Sequence, residues 1–242
     1  MNHDNVVNLK QTLTRDGYLH IKKAIPVEKI KPIEDTVLKL FSMAALKGEN
    51  IHQTIFRLNQ ENHALLYRIY KIISRSISLA SVREACSPYI KAIYQNEVHF
   101  DMAPGMLMSI PYDSRIVYDW HQEISYHPDL YEAIHLWLPL FESSSKENGT
   151  MSALKGSHIL GPLPFETKAK MISNSTTSFV PKDINIYKEK FEEVFFFADP
   201  GDLVILHPYV IHRSNDNKGE KSRFTCSFRI AAIQSIPEVV DF

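Results

Sequence analysis

Chemistry is most concentrated in YDWHQEISYH, residues 118–127, where His121 and Glu123 stand two residues apart. In an extended segment, residues i and i+2 point to the same face. An imidazole and a carboxylate can therefore converge there on one point. An isolated histidine–x–glutamate is most often just a polar strand end. Joined by a distant histidine it becomes two nitrogens and one oxygen, the facial set of non-heme Fe(II) oxygenases. Three protein ligands suffice for such an ion because cosubstrate and O2 need the remaining positions. The later stretch GDLVILHPYVIHRSNDN, residues 201–217, holds two candidates for the third ligand, His207 and His212.

Further pieces surround these residues. Trp120-His121-Gln122-Glu123, Glu147-Asn148-Gly149, Gly156-Ser157-His158, Gly201-Asp202 and His212-x-Ser214-x-x-Asn217 follow one another along the chain. Asp16-Gly17-Tyr18 precedes them and Arg223 follows. In this order the chain resembles the phytanoyl-CoA dioxygenase family of Fe(II)/2-oxoglutarate-dependent oxygenases over nearly its whole length.

The resemblance implies that His121, Glu123 and His212 bind iron. It selects His212 over His207 because Ser214 and Asn217 follow at the family's spacing. It also implies that Arg223 binds the distal carboxylate of 2-oxoglutarate, with Ser214 assisting and Trp137 lining the cosubstrate pocket. A guanidinium is permanently charged and can meet a carboxylate through two parallel hydrogen bonds. Alternation along residues 223–229 puts Arg229 on the same face as Arg223. Arg229 is thus a rival for that role, or a partner of substrate or of a structural carboxylate.

Glu123 stands where the family usually has aspartate. It keeps the charge and the oxygen donor and adds a methylene. A retained carboxylate argues for oxygen insertion and against halogenation, in which halide takes that ligand position. The implied reaction uses Fe(II), 2-oxoglutarate and O2 to hydroxylate an unactivated C–H bond of a small-molecule metabolite, releasing succinate and CO2. Desaturation, epimerisation or cyclisation on the same cofactors is one alternative. A non-catalytic β-helix protein that binds a ligand is the other.

The elements that must position these residues divide the chain in two. Residues 5–13 have helical apolar spacing, and Asp16-Gly17 is a turn signal before a short strand at 18–21. A second helix opens at Pro26 with Ile30, Ile33, Val37, Leu40 and Phe41 on its stripe. After a polar interval at 47–53, a third helix is predicted from about Glu61 to Ala85. All three read as scaffold. From about Tyr94 the period becomes two, with strands predicted at 97–101, 105–110, 115–120, 133–140, 150–154, 194–197, 202–206 and 222–233.

The fold class is therefore mainly β with flanking α. The resemblance makes it a double-stranded β-helix (a cupin-like jelly roll) with N-terminal helices packed on the barrel, a single domain over 1–242. Residues 1–93 form the helical part and 94–242 the core, with a long loop at about 161–190. That loop and residues 49–63 are expected to decide the substrate, because loops at a barrel mouth carry specificity.

Other side chains have plainer readings. Met106 and Met108 read as core, and His158 as a turn residue. His127 and His135 face the pocket or are structural. Tyr112, Tyr118 and Tyr126 are candidates to reach substrate. The formal net charge is −1 and basic residues are interspersed with acidic ones, which excludes a nucleic-acid footprint. Two cysteines far apart make neither a disulfide framework nor a zinc motif. With no apolar signal core or membrane-length run, the expectation is a cytoplasmic protein with a small-molecule partner. Oligomeric state is not legible.

Overall fold

The computed structural model describes residues 3–95, 99–101, 105–126, 133–169 and 176–232. Helix α1 (His3–Asp16) leads through Gly17 into strand β1 (Tyr18–Ile21). Helix α2 (Val27–Ser42) buries Ile30, Ile33, Val37 and Phe41 of the apolar stripe read from the sequence, and Leu40 is half-buried beside them. Each such side chain, fully buried, contributes about 1.5–3 kcal/mol.

The next helical region departs from expectation. Helix α3 (Ile51–Glu61) begins inside the interval read as polar. It is nucleated by a capping box: Asn50 Oδ1 accepts from the Gln53 amide at 3.0 Å while Gln53 Oε1 accepts from the Asn50 amide at 2.9 Å. The single long helix expected from about Glu61 is two, α4 (His63–Ser74) and α5 (Ser78–Tyr94). Between them the amides of Arg75 and Ser76 fold back on the carbonyls of Ile72 and Ile73. The Ser76 hydroxyl also accepts from the Ser78 amide at 3.2 Å, a local bond that competes with helix continuation.

The largest sheet is antiparallel in all its pairings, in the order β1, β9 (Leu203–Leu206), β4 (Ile134–Leu140), β11 (Arg223–Ala232) and β2 (His99–Asp101). Strand β3 (Gly105–Ser109) also pairs with β11, along residues 223–227. A second sheet joins β10 (His212–Ser214), β5 (Met151–Leu154) and β8 (Glu193–Phe195). Burial on both sides of the large sheet explains why β9 is apolar throughout and why β4 is too, apart from His135. On one side Leu136, Leu138, Leu140, Ile205, Phe224 and Phe228 join the stripes of the helices in the main core. On the other, Trp137, Val204 and Leu206 join Met151 and Ala153 of the smaller sheet and Phe196 just past its last strand.

Two predicted segments differ. Residues 115–120 are not a strand: their backbone partners come from several places rather than one ladder. The Arg115 carbonyl accepts from the Thr176 amide, the Asp119 amide donates to Ser178 Oγ, and the Tyr118 carbonyl accepts from the Ser214 amide. The long connection at 161–190 contains the hairpin of β6 (Phe165–Ala169) and β7 (Thr177–Pro181), then helix α6 (Ile184–Lys190). Strand β6 is exposed along its whole length, so no alternation marks it. Residues 97–98, 127 and 233, on which other expectations fell, lie outside the described residues. Among the described residues no helix is long and apolar enough to cross a membrane. Both cysteines are unpaired and buried.

Candidate metal and cosubstrate site

A reciprocal backbone pair builds the centre of the site. The His121 amide donates to the His212 carbonyl and the His212 amide to the His121 carbonyl, both at 2.9 Å. This bridge sets the two imidazoles 4.2 Å apart between centroids. In each case Nδ1 meets the carbonyl two residues earlier, Asp119 at 2.6 Å and Val210 at 3.0 Å. A carbonyl only accepts, so Nδ1 carries the proton and Nε2 is left with its lone pair. Burial, then the neighbouring His212, pushes His121 down to about 3, so its ring is neutral at physiological pH.

Gln122 is extended and Glu123 begins a 3-10 turn (Glu123–Ser125), which carries its carboxylate round to the two rings. Ligand atoms of His121, Glu123 and His212 all lie within 4.8 Å of one another, and all three residues are buried. Glu123 Oε2 is 3.6 Å from His212 Nε2, a separation for two groups around one ion rather than for a hydrogen bond.

The second oxygen belongs to a ring of four side chains. Arg229 Nε donates to Glu123 Oε1 at 2.7 Å, and Arg229 Nη1 donates to Ser227 Oγ at 2.7 Å. Ser227 Oγ is 2.9 Å from His135 Nε2, and His135 Nδ1 faces Glu123 Oε2 at 3.4 Å. Burial alone would raise the Glu123 carboxyl, but Arg229 and the two histidines hold it well below its ordinary value. His135 is pushed down by burial and by Arg229. With His135 neutral, one proton order satisfies the ring: Ser227 O–H to Nε2, and Nδ1–H towards Glu123. Arg229 is thus the partner of a site carboxylate, and His135 faces the cavity.

At the other end of β11, Arg223 is held differently. Its Nε donates to the Asn148 carbonyl at 3.2 Å and its Nη2 to the Gly149 carbonyl. Nη1 is buried without a hydrogen-bond partner. The guanidinium carbon stands 5.4 Å from the centre of a Trp137 ring, and burial lowers its pKa to about 10. The turn that offers these carbonyls demands glycine: Gly149 has φ +78°, and a Cβ there would meet the Asn215 carbonyl oxygen at 2.6 Å. Asn217 fastens the same turn as the backbone bridge partner of Asn148, and its side chain is held in turn by the carbonyls of Ser109 and Lys221. The Glu-Asn-Gly motif and Asn217 are thus the mounting of Arg223.

Both ends open on a cavity of about 1180 Å³ whose lining includes His121, Glu123, His212, Arg223, Trp137 and Ser214. The structure brings the six residues singled out from the sequence to one space. A buried cationic arm without a partner suits a carboxylate, and two imidazoles with a carboxylate suit a non-heme iron ion. The residues present therefore fit both groups. Tyr118 and Tyr126 also line the cavity and pack against the His121 ring, at 5.7 and 5.2 Å between centroids. Tyr112 points away and donates to the Lys218 carbonyl. Met106 and Met108 are core residues.

His158 and His207 pack against each other with ring centroids 5.0 Å apart and planes inclined by 52°, and neither lines the cavity. His158 Nε2 donates to the Thr14 carbonyl, and its ring fills the space a Cβ on Gly17 would need, at 2.5 Å. The Asp-Gly-Tyr and Gly-Ser-His segments therefore lock α1 to the smaller sheet's end of the molecule. Sequence reasoning missed Asp113, Arg115 and the cavity face of α4, which includes Tyr67, Tyr70 and Lys71. The α4 residues had a signal: they fall at helical spacing on a face adjoining Leu66, Ile69 and Ile73.

A family model described as phytanoyl-CoA dioxygenase matches residues 13–225. No curated protein sequence matches the chain. Among solved structures, the epimerase SnoN in complex with Fe3+, alpha ketoglutarate and nogalamycin RO is 13% identical with a TM-score of 0.60, over 96% of this chain and 85% of that one. The carbocyclase SnoK from nogalamycin biosynthesis is 13% identical at a TM-score of 0.58, over 96% and 84%. EctD from S. alaskensis with 2-oxoglutarate and 5-hydroxyectoine is 14% identical at 0.59, over 97% and 77%. At such identities the likeness is one of fold.

Proposed function

Since the chain belongs to the phytanoyl-CoA dioxygenase family of non-heme Fe(II)- and 2-oxoglutarate-dependent oxygenases, we propose that it hydroxylates an unactivated C–H bond of a small-molecule metabolite. The observation that carries this reading is the gathering of His121, Glu123 and His212 beside the unpartnered arm of Arg223 in one cavity. When bound, iron and 2-oxoglutarate supply the activation of O2, with succinate and CO2 released.

The chain's own residues do the rest. His121 and His212 would hold iron through Nε2, their rings fixed by the carbonyls of Asp119 and Val210. Glu123 would offer Oε2, because Arg229 holds Oε1. Arg229 thereby takes up the extra methylene that distinguishes glutamate from aspartate. Arg223 would bind the distal carboxylate of 2-oxoglutarate, braced against Trp137, with Ser214 alongside. Tyr118 and Tyr126 shield the His121 side of the centre, so that water is kept from the reaction. In the same reading the paired sheets are the two halves of a double-stranded β-helix, and the protein works in the cytoplasm.

The epimerase and carbocyclase among the structural relatives support a second outcome on the same cofactors: loss of the hydrogen without transfer of oxygen. Product analysis separates the two. The shared premise is tested anaerobically: adding Fe(II) and 2-oxoglutarate should produce a charge-transfer band that neither gives alone. A folded protein without that band overturns the oxygenase reading.

A further inference from the structure

One wall of the cavity is α4. Its lining residues include His63, Tyr67, Tyr70, Lys71 and Ser74, a helical stripe, with Arg75 just past the helix end. The sequence reading made this helix scaffold, yet one face of it is cavity wall. Tyr67 and Tyr70 are stacked, with centroids 6.2 Å apart and planes inclined by 25°. Lys71 Nζ lies 5.1 Å from the Tyr67 ring centre. Ser74 Oγ is buried here with no hydrogen-bond partner.

The charges of the lining do not balance. Among the described residues its carboxylates are Asp113 and Glu123, and both are matched, by Arg115 at 2.6 Å and by Arg229 at 2.7 Å. Asn59 completes the first pair, donating to Asp113 and accepting from Arg115. Lys71, Arg75 and Arg223 are left as cations with no ion-paired carboxylate among the described residues. A divalent ion with Arg223 and Arg229, set against Glu123 and a dianionic 2-oxo acid, already leaves a single positive charge. Lys71 and Arg75 add to it, in a chain whose net charge is −1. A cleft with low-dielectric walls focuses such a surplus on what enters it.

We propose that the cavity takes a small anionic molecule bearing a planar ring. Its carboxylate or phosphate sits on Lys71 and Arg75, its ring lies along Tyr67 and Tyr70, and its reacting carbon faces the His121–Glu123–His212 cluster. Aromatic faces accept a flat body, and cations at the rim select the charged end. Only the last of these placements rests on the oxygenase reading.

Calorimetry on the full chain, with and without Fe(II) and 2-oxoglutarate, tests the assignment with four probes: naphthalene-2-carboxylate, 2-naphthyl phosphate, naphthalene-2-carboxamide and hexanoate. At least one naphthyl anion should bind about tenfold or more tightly than the amide. That advantage should vanish in the Lys71→Gln, Arg75→Gln double variant, whose exposed positions leave the fold intact. Whichever anion wins identifies carboxylate or phosphate as the group recognised. An amide that binds as well as the anions overturns the proposal. So does an advantage that survives in the double variant, or failure of both naphthyl anions to bind at millimolar concentration. Hexanoate binding as tightly as naphthalene-2-carboxylate overturns the ring. The charge-transfer band is recorded in the same samples. In the unaltered chain, no anion preference with the band present sinks the substrate assignment alone; the band absent with the preference present sinks the oxygenase reading alone.

Discussion

Arg223 and Arg229 stand on one face of one strand, both against the same cavity, and physics treats them in opposite ways. Arg223 is held by main-chain carbonyls, which orient a guanidinium without neutralising it, and burial lowers its pKa to about 10. Arg229 meets the Glu123 carboxylate, whose charge outweighs burial and raises it. A buried cation without a counter-charge is costly, so the Arg223 end is built for an anion that arrives, whereas the Arg229 end is already neutral. Spacing on a strand shows that two arginines share a face. It does not show which of them has its partner in the chain.

The comparison can be broken at several points. The largest effect is expected at the centre both arginines serve. His212→Ala should abolish iron-dependent turnover while the protein still melts cooperatively, as followed by circular dichroism and succinate release. Residual turnover at the wild-type rate would remove His212 from the site.

Next is Arg229→Met, which strands a buried carboxylate. Breaking such a pair costs about 3–5 kcal/mol. Denaturant unfolding should report a loss of that order, with weakened Fe(II) binding. Arg223→Ala should behave otherwise, sparing Fe(II) affinity and raising the 2-oxoglutarate requirement by about tenfold or more, the worth of a charge-assisted bond. If the two variants exchange these signatures, the assignment of the arginines is reversed.

A smaller effect is expected from Glu123→Asp, which restores the family's usual residue but shortens the reach to Arg229. Iron affinity measured by competition with a chelator should fall by a modest factor. A gain would mean that the Arg229 contact strains the ligand rather than supporting it.

The mildest perturbation is acid. His207, pushed down to about 4 by burial and His158, and His121, pushed down to about 3, have folded values below the ordinary 6.5. Between those values the unfolded chain binds more protons than the folded one. Stability is therefore complete above about pH 6.5 and is lost as pH falls towards 4 and below. The melting temperature of the metal-free protein should drop over that window, and His207→Gln should reduce the drop.

Much of this was legible because function here is written in short motifs on strands whose alternation survives burial. The face division of β4, with Leu136, Leu138 and Leu140 against the helices and His135 and Trp137 towards the other sheet, follows from period two alone. The helix break at residues 75–77 was not legible. It depends on a serine hydroxyl satisfying a backbone amide, and that outcome is decided by competition rather than by pattern. Strand β6 is exposed along its whole length and has no buried face to print a period. The cavity face of α4 was hidden for another reason: a helix stripe of Tyr67, Tyr70 and Lys71 looks like ordinary solvated surface until the opposite wall is known. The pairing of Glu123 with Arg229 joins residues too distant in sequence for any local signal.

The reciprocal bond between the His121 and His212 main chains has a thermodynamic consequence. These residues lie far apart in sequence, and the entropy of closing that loop is met when the chain folds, not when a metal is captured. Any ion held by both rings then acts as a crosslink on segments already joined. It stabilises by mass action according to its concentration and affinity, and it binds only the folded form. Amide hydrogen exchange at His121 and His212 should consequently be slow in the metal-free protein and slower still with the ion bound. The two amides should be released together, as one cooperative opening.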